Sequence, residues 1–150
     1  MRSILPWRTA TAFYDRGILR RKLGDPGAAI ADYDDAIRLD PKDAKAFSNR
    51  GLAYQGNRDP DRASADYDEA ITLDLNSWGG FGSRGNALEA KGDFDGAIAD
   101  CSETIRIDPR RIAGYRSRRL AYFYAADFGT AVSDSARTVE DKPADAYAAL

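Results

Sequence analysis

Apolar side chains recur along the chain at the spacing of helix faces. In the stretch AKAFSNRGLAYQG, Phe47 and Tyr54 lie seven residues apart with Gly51 between them, which puts all three on one stripe of a helix. In DRASADYDEAITL, Ala63, Tyr67, Ala70 and Ile71 trace a second stripe. Asp25, Asp59, Asp93 and Asp127 stand where a carboxylate can cap free backbone N–H groups, and Pro26 and Pro60 follow at the first helical position, which tolerates proline. Pro41, Pro109 and Pro143 close the second stripes. The pattern predicts first helices near 10–22, 44–56, 78–91 and 112–125, and second helices near 26–39, 60–73, 94–107 and 128–140.

These helices repeat. Four segments of 34 residues, starting at Ala10, Ala44, Trp78 and Ile112, stack without gaps. Down the columns run Phe13, Phe47, Phe81 and Tyr115; Gly17, Gly51 and Gly85, with Arg119 the exception; and Ala29, Ala63, Ala97 and Ala131. Tyr33 and Tyr67 share the next column with Cys101 and Ser135, and Ala36 and Ala70 follow. Small residues such as Gly51 and Ala63 let two helices approach closely. One hairpin of this size cannot bury its own apolar stripe, so hairpins must stack into a continuous core.

Period, aromatic, glycine, paired small residues and terminal proline together resemble the tetratricopeptide repeat, a pair of antiparallel helices, over about residues 10 to 145. The resemblance implies an all-α, right-handed superhelical solenoid. It would comprise an N-terminal extension (1–9), repeats at 10–43, 44–77, 78–111 and 112–145, and the start of an incomplete capping helix at 146–150.

Two columns are charged in every copy, Arg16, Arg50, Arg84 and Arg118 against Asp32, Asp66, Asp100 and Asp134. Each pair spans 16 residues, and its midpoint falls in the turn between the helices, at Gly24, Arg58, Gly92 or Ala126. Residues equidistant from the turn of an antiparallel hairpin lie level, so four structural Arg–Asp pairs are predicted; pairing of each Asp with the next copy's Arg is left open.

The resemblance further implies a concave groove lined by first helices that takes an extended peptide or partner helix. Its candidates here are Tyr14, Asp15, Lys45, Asn49, Leu52, Gly82, Asn86, Arg116 and Leu120. Asn49 and Asn86 stand out because a carboxamide offers both donor and acceptor to a peptide bond. Some family members grip a terminal carboxylate with lysine, asparagine and arginine on three first helices. Of that set only Asn49 is present, with Tyr14 and Ile18 before it and Gly79 and Ser83 after it, so tail binding of that kind is disfavoured.

Composition narrows the function further. Formal charge is -2, balanced in both halves, so no bulk field draws nucleic acid or anionic membrane. Histidine is absent and Cys101 is the one cysteine, which removes most catalytic and metal-binding constellations as well as any internal disulfide. No cofactor, metal or enzymatic activity is expected. No apolar run reaches the roughly 18 to 20 residues of a membrane span, and the default compartment is the cytoplasm. Gly80, Gly82 and Gly85 spell a dinucleotide-loop spacing, but they follow a helix and Gly85 belongs to the hairpin glycine column, so that reading fails. Gly79, Gly80 and Gly82 are then surplus, with Gly79 and Gly82 expected to face the groove.

Arg110, Arg111, Arg116, Arg118 and Arg119 form the densest charge feature. Four are free of the repeated pair and suit an acidic protein or peptide; RNA is the alternative partner, because arginine beside Tyr115, Tyr122, Phe123 and Tyr124 can stack on bases, although these aromatics are assigned mainly to the core. The last repeat's flank, with Val132, Val139, Tyr147 and Leu150, is a candidate for homodimerisation, and Ile4, Leu5 and Trp7 for folding back over the first helix. The favoured reading is a non-catalytic protein-interaction module or assembly scaffold.

Overall fold

The computed structural model describes residues 8–140, with side chains to 138. Ile4, Leu5, Trp7, Val139, Pro143, Tyr147, Leu150 and the 146–150 stub therefore lie outside the described residues or side chains. Among the described residues there are eight helices and no strand: α1 (Ala10–Lys22), α2 (Pro26–Leu39), α3 (Ala44–Gly56), α4 (Pro60–Leu73), α5 (Trp78–Ala90), α6 (Phe94–Ile107), α7 (Ile112–Tyr124) and α8 (Phe128–Glu140). α5 and α7 each end one residue earlier than the pattern suggests. They form two compact units that divide between Ser83 and Arg84, inside α5.

Local chemistry sets the helix ends. The carboxylates of Asp25, Asp59, Asp93 and Asp127 accept from the backbone N–H three residues on, at 2.9 to 3.2 Å. A second set of turns precedes the odd-numbered helices: Asp40, Asp74 and Asp108 each accept from the N–H two residues on, and Asp43 caps α3 through Lys45. The inter-helix turns pass through the left-handed region at one column, Gly24 (φ 83°), Arg58 (φ 62°), Gly92 (φ 81°) and Ala126 (φ 63°). Only two of those four are the glycine that this conformation favours.

In the unit ending at Ser83, each hairpin closes by laying a tyrosine ring on a glycine. A Cβ on Gly17 would stand 2.7 Å from Tyr33 Cε1, and one on Gly51 would stand 2.6 Å from Tyr67 Cε1. Both rings are fully buried, a burial that stabilises by roughly 1.5 to 3 kcal/mol each. Successive hairpins then meet through a second small-residue column. Ala46 and Ala53 of α3 are fully buried, Ala53 joining Ala29 and Tyr33 in a core onto which Tyr14, Ile18 and Ile30 pack. A Cβ on Gly80 would stand 3.1 Å from Ile71 Cγ1, so this glycine is a packing residue where α5 begins against α4. One of the three surplus glycines thus has a structural reason.

The unit beginning at Arg84 uses smaller atoms for the same steps. Gly85 faces Cys101, whose Sγ would lie 3.2 Å from an added Cβ, and Gly114 faces Ile105 Cγ1 at 2.9 Å. Ala97, Cys101, Thr104, Ala121 and Ala131 are buried.

Candidate functional site

The charged columns meet inside every hairpin. Arg50 Nε and Nη2 donate to the two oxygens of Asp66 at 2.8 and 2.7 Å. Arg84 binds Asp100 at 2.7 and 2.8 Å, and Arg118 binds Asp134 at 2.8 and 2.7 Å. Arg16 reaches Asp32 at 2.6 to 3.0 Å, and Arg20 adds a second cation on Asp32 at 2.9 Å. The acids are buried and the arginines are partly exposed, so each carboxylate is held by charge-assisted bonds that replace its lost water. The guanidiniums of Arg16, Arg50 and Arg118 also lie on the aromatic three residues before them, Phe13, Phe47 and Tyr115, at 5.3 to 5.8 Å.

Sequence reasoning missed that some arginines serve two hairpins. Arg50 Nη1 donates to Asp34 of the preceding helix at 2.7 Å, and Arg118 Nη1 donates to Ser102 at 3.2 Å. Asp34 and Ser102 each stand 16 residues before their arginine, the same step as the intra-hairpin pair, so the signal was present in the opposite direction. These bonds tie neighbouring helices together.

Of the groove candidates in the first unit, the structure brings Tyr14 and Asn49 together, while Asp15 and Lys45 are exposed and Leu52 is half-buried. Asn49 Nδ2 donates to Tyr14 Oη at 3.1 Å and to Lys45 O at 3.0 Å. Both amide hydrogens are thereby spent within the protein, and the open valence of Asn49 is its carbonyl oxygen. Burial, then the nearby Asp43 carboxylate, raises the Tyr14 phenol above its ordinary value, so it stays a neutral donor and acceptor. Ile18 beside Tyr14 is half-buried, giving the α1/α3 face both apolar and polar contacts. Gly82 is half-buried, and no atom lies within 4 Å of where a Gly79 Cβ would stand.

In the second unit Asn86, Arg116 and Leu120 are all exposed. The arginines of the cluster have different surroundings there. Arg111 pairs with Asp108 at 3.2 Å, Arg118 is held by Asp134, and Arg119 lines an apolar cavity of about 450 Å³ with Leu120, Phe123, Phe128, Ala131, Val132 and Ser135. The aromatics also depart from the expected core placement. Tyr115 and Tyr122 are half-buried, but Phe123 and Tyr124 are 54% and 57% exposed, and Phe128 is 57% exposed. They pack on one another instead: Phe123 meets Tyr124 and Phe128 edge-on at 5.7 and 5.6 Å, and Phe94 stacks on Tyr124 at 5.6 Å.

Known proteins share this architecture. A profile described as TPR repeat matches residues 17–57, and a second, described as tetratricopeptide repeat, matches 48–112. Among solved structures, a crystal structure of MamA aligns with TM-score 0.82 at 24% identity, over 90% of this chain and 79% of that one. The first TPR of Spaghetti (RPAP3), bound to HSP90 peptide SRMEEVD, aligns with TM-score 0.76 at 21% identity, over 81% and 97%. The Arabidopsis OM64 TPR domain aligns with TM-score 0.75 at 20% identity, over 77% and 96%. These likenesses show the all-α helical-repeat fold. No curated protein matches the chain in sequence.

Proposed function

The chain is a tetratricopeptide repeat protein, a protein-interaction module by family, and from that premise we propose that it is a non-catalytic scaffold that binds a peptide or partner helix along its first helices. We take the repeats as 10–43, 44–77, 78–111 and 112–145. The observation that carries the reading is the α1/α3 face. There the Tyr14–Asn49 hydrogen bond ties two first helices together and leaves the Asn49 carbonyl as an acceptor, with the half-buried Ile18 and Leu52 on the same two helices. A ligand backbone N–H meets an acceptor already oriented, so little side-chain freedom remains to be lost on binding. A chain of this fold holds a peptide in the RPAP3 structure, which supports the choice of ligand class. Among the described residues no helix is long and apolar enough to cross a membrane, and the lone cysteine is a buried free thiol; the cytoplasm suits both.

The test is capture of partners from native lysate by the intact chain beside an Asn49→Ala, Asn86→Ala double variant. The double variant is expected to lose at least one partner that the intact chain retains; recovery of the same set by both overturns the reading. The RNA alternative has a separate signature. It requires binding to single-stranded RNA that weakens steeply with salt and disappears in the Arg116→Ala, Arg119→Ala variant.

A further inference from the structure

Tyr33 and Tyr67 occupy the same column of successive hairpins, yet their hydroxyls are treated differently. Tyr67 Oη donates to Gln55 Oε1 at 3.0 Å. The residue in the Gln55 column of the first hairpin is Arg21, which carries donors only. Tyr33 is completely buried and its hydroxyl has no hydrogen-bond partner; Arg21 Nε is likewise buried without a partner. The guanidinium lies close enough to pull the Tyr33 phenol down against the larger upward push of burial, yet no well-formed bond joins the two groups. The same charge acts, as the smallest influence on each, on the Tyr14 and Tyr67 phenols. No carboxylate of the described residues pairs with it.

The phenol oxygen could accept from the guanidinium, but their alignment satisfies neither Arg21 Nε nor the Tyr33 hydroxyl, and buried polar groups left in that state carry a cost that native interiors rarely keep without a reason. Arg21 is only half-buried, so its guanidinium can turn outward on the α1 face and admit an acceptor to itself and to the hydroxyl beneath. The group that satisfies a guanidinium and an O–H at once is a carboxylate, through charge-assisted bonds to both. Resting on the peptide-binding reading above, we propose that Arg21 and the Tyr33 hydroxyl anchor a side-chain carboxylate of an acidic peptide segment lying along α1 and α3. The position differs from the terminal-carboxylate grip that the first-helix residues Tyr14 and Ile18 lack. It supplies a cation where those positions have none.

The test uses the full chain and three peptides: acetylated, amidated Ala-Glu-Ala-Glu-Ala; the same peptide with Gln for Glu; and that Gln peptide with a free C-terminal acid. Binding is followed by NMR at the Arg21 Nε–H and at the backbone amides of Asn49 and Leu52. The Glu peptide should move the Arg21 signal, and Arg21→Gln should weaken its binding by about tenfold or more, the loss expected for a charged hydrogen bond. The same variant should raise the melting temperature, because a glutamine there gives Tyr33 the acceptor that Gln55 gives Tyr67. That gain separates lost anchoring from lost folding. Equal binding of the amidated Glu and Gln peptides at Asn49 and Leu52, undisturbed in Arg21→Gln, overturns the anchor and leaves the peptide face standing. Arg21-dependent binding of the free-acid peptide alone overturns the side-chain assignment. If no peptide moves any of these signals, the peptide face itself fails and the anchor with it.

Discussion

In the unit that ends at Ser83, two hairpins close by pressing Tyr33 and Tyr67 onto Gly17 and Gly51, and both rings are fully buried. In the unit that begins at Arg84, the same columns hold Cys101 on Gly85, then Ser135 with Arg119 where the glycine was. Arg119 and Ser135 line the apolar cavity beside Phe123 and Phe128. The ion pairs behave differently: all four hairpins keep a two-pronged Arg–Asp contact. Aromatic filling is therefore the variable part of this repeat and the charged lock its constant part. Exposed apolar side chains occur in both units, as leucines such as Leu19, Leu23 and Leu75 in the first and as the aromatic group Phe123, Tyr124 and Phe128 in the second.

If the lock is constant, removing it should be costly in both units. Arg50→Met strands Asp66, and Arg118→Met strands Asp134; each should lose about 3 to 5 kcal/mol in urea unfolding followed by circular dichroism. Arg16→Met should lose clearly less, because Arg20 still reaches Asp32 at 2.9 Å. A silent Arg118→Met beside a damaging Arg50→Met would mean that the lock itself differs between the units.

The glycine step should separate the units next. Gly51→Ala puts a Cβ 2.6 Å from a buried ring whose hydroxyl is tied to Gln55, and overpacking of this kind costs about 1 to 3 kcal/mol. Gly85→Ala meets Cys101 Sγ at 3.2 Å and Asp100 Cβ at 3.3 Å, a crowding that a few tenths of an ångström relieve. Alanine's better helix propensity offsets this by up to about 1 kcal/mol, so Gly85→Ala should be near neutral. Equal melting shifts in the two variants would remove the distinction drawn between tyrosine and cysteine filling.

How much of this was legible follows from what a repeat exposes to inspection. The helices and the Arg16 and Asp32 columns could be read because four copies carry the same residue at the same step. The Ala46, Gly80 and Gly114 column could have been read as the contact between successive hairpins, but glycine and alanine there look like poor helix residues until a neighbour's Ile71 or Ile105 is placed. The left-handed turn at Arg58 and Ala126 was hidden because neither residue advertises a positive φ. Phe123 and Tyr124 misled for the opposite reason. Aromatic side chains advertise burial, yet the same columns hold Lys22, Gln55 and Gly56 in the first unit, all exposed, so the register already marked these positions as outward-facing. That Arg21 Nε and the Tyr33 hydroxyl are buried without a satisfied bond could be seen only from the positions of both side chains.

The smallest expected effect is a difference in alkaline stability between the two fillings. Burial, then the neighbouring Asp100 carboxylate, pushes the Cys101 thiol up from 9.0 to about 12, and burial likewise raises the Tyr67 phenol above its ordinary 10.0. Each group is neutral when protonated, so the unfolded chain ionises first as pH rises. The contribution of Cys101 is thus complete below about pH 9 and is lost between about 9 and 12; the tyrosine's loss begins about one unit higher. Between pH 8 and 10 the melting temperature of the intact protein should therefore fall, and Cys101→Ala, whatever its constant packing cost, should flatten that fall. An unchanged slope in Cys101→Ala would mean that the thiol is not shielded as its position on Gly85 implies, and that the second unit opens before it unfolds.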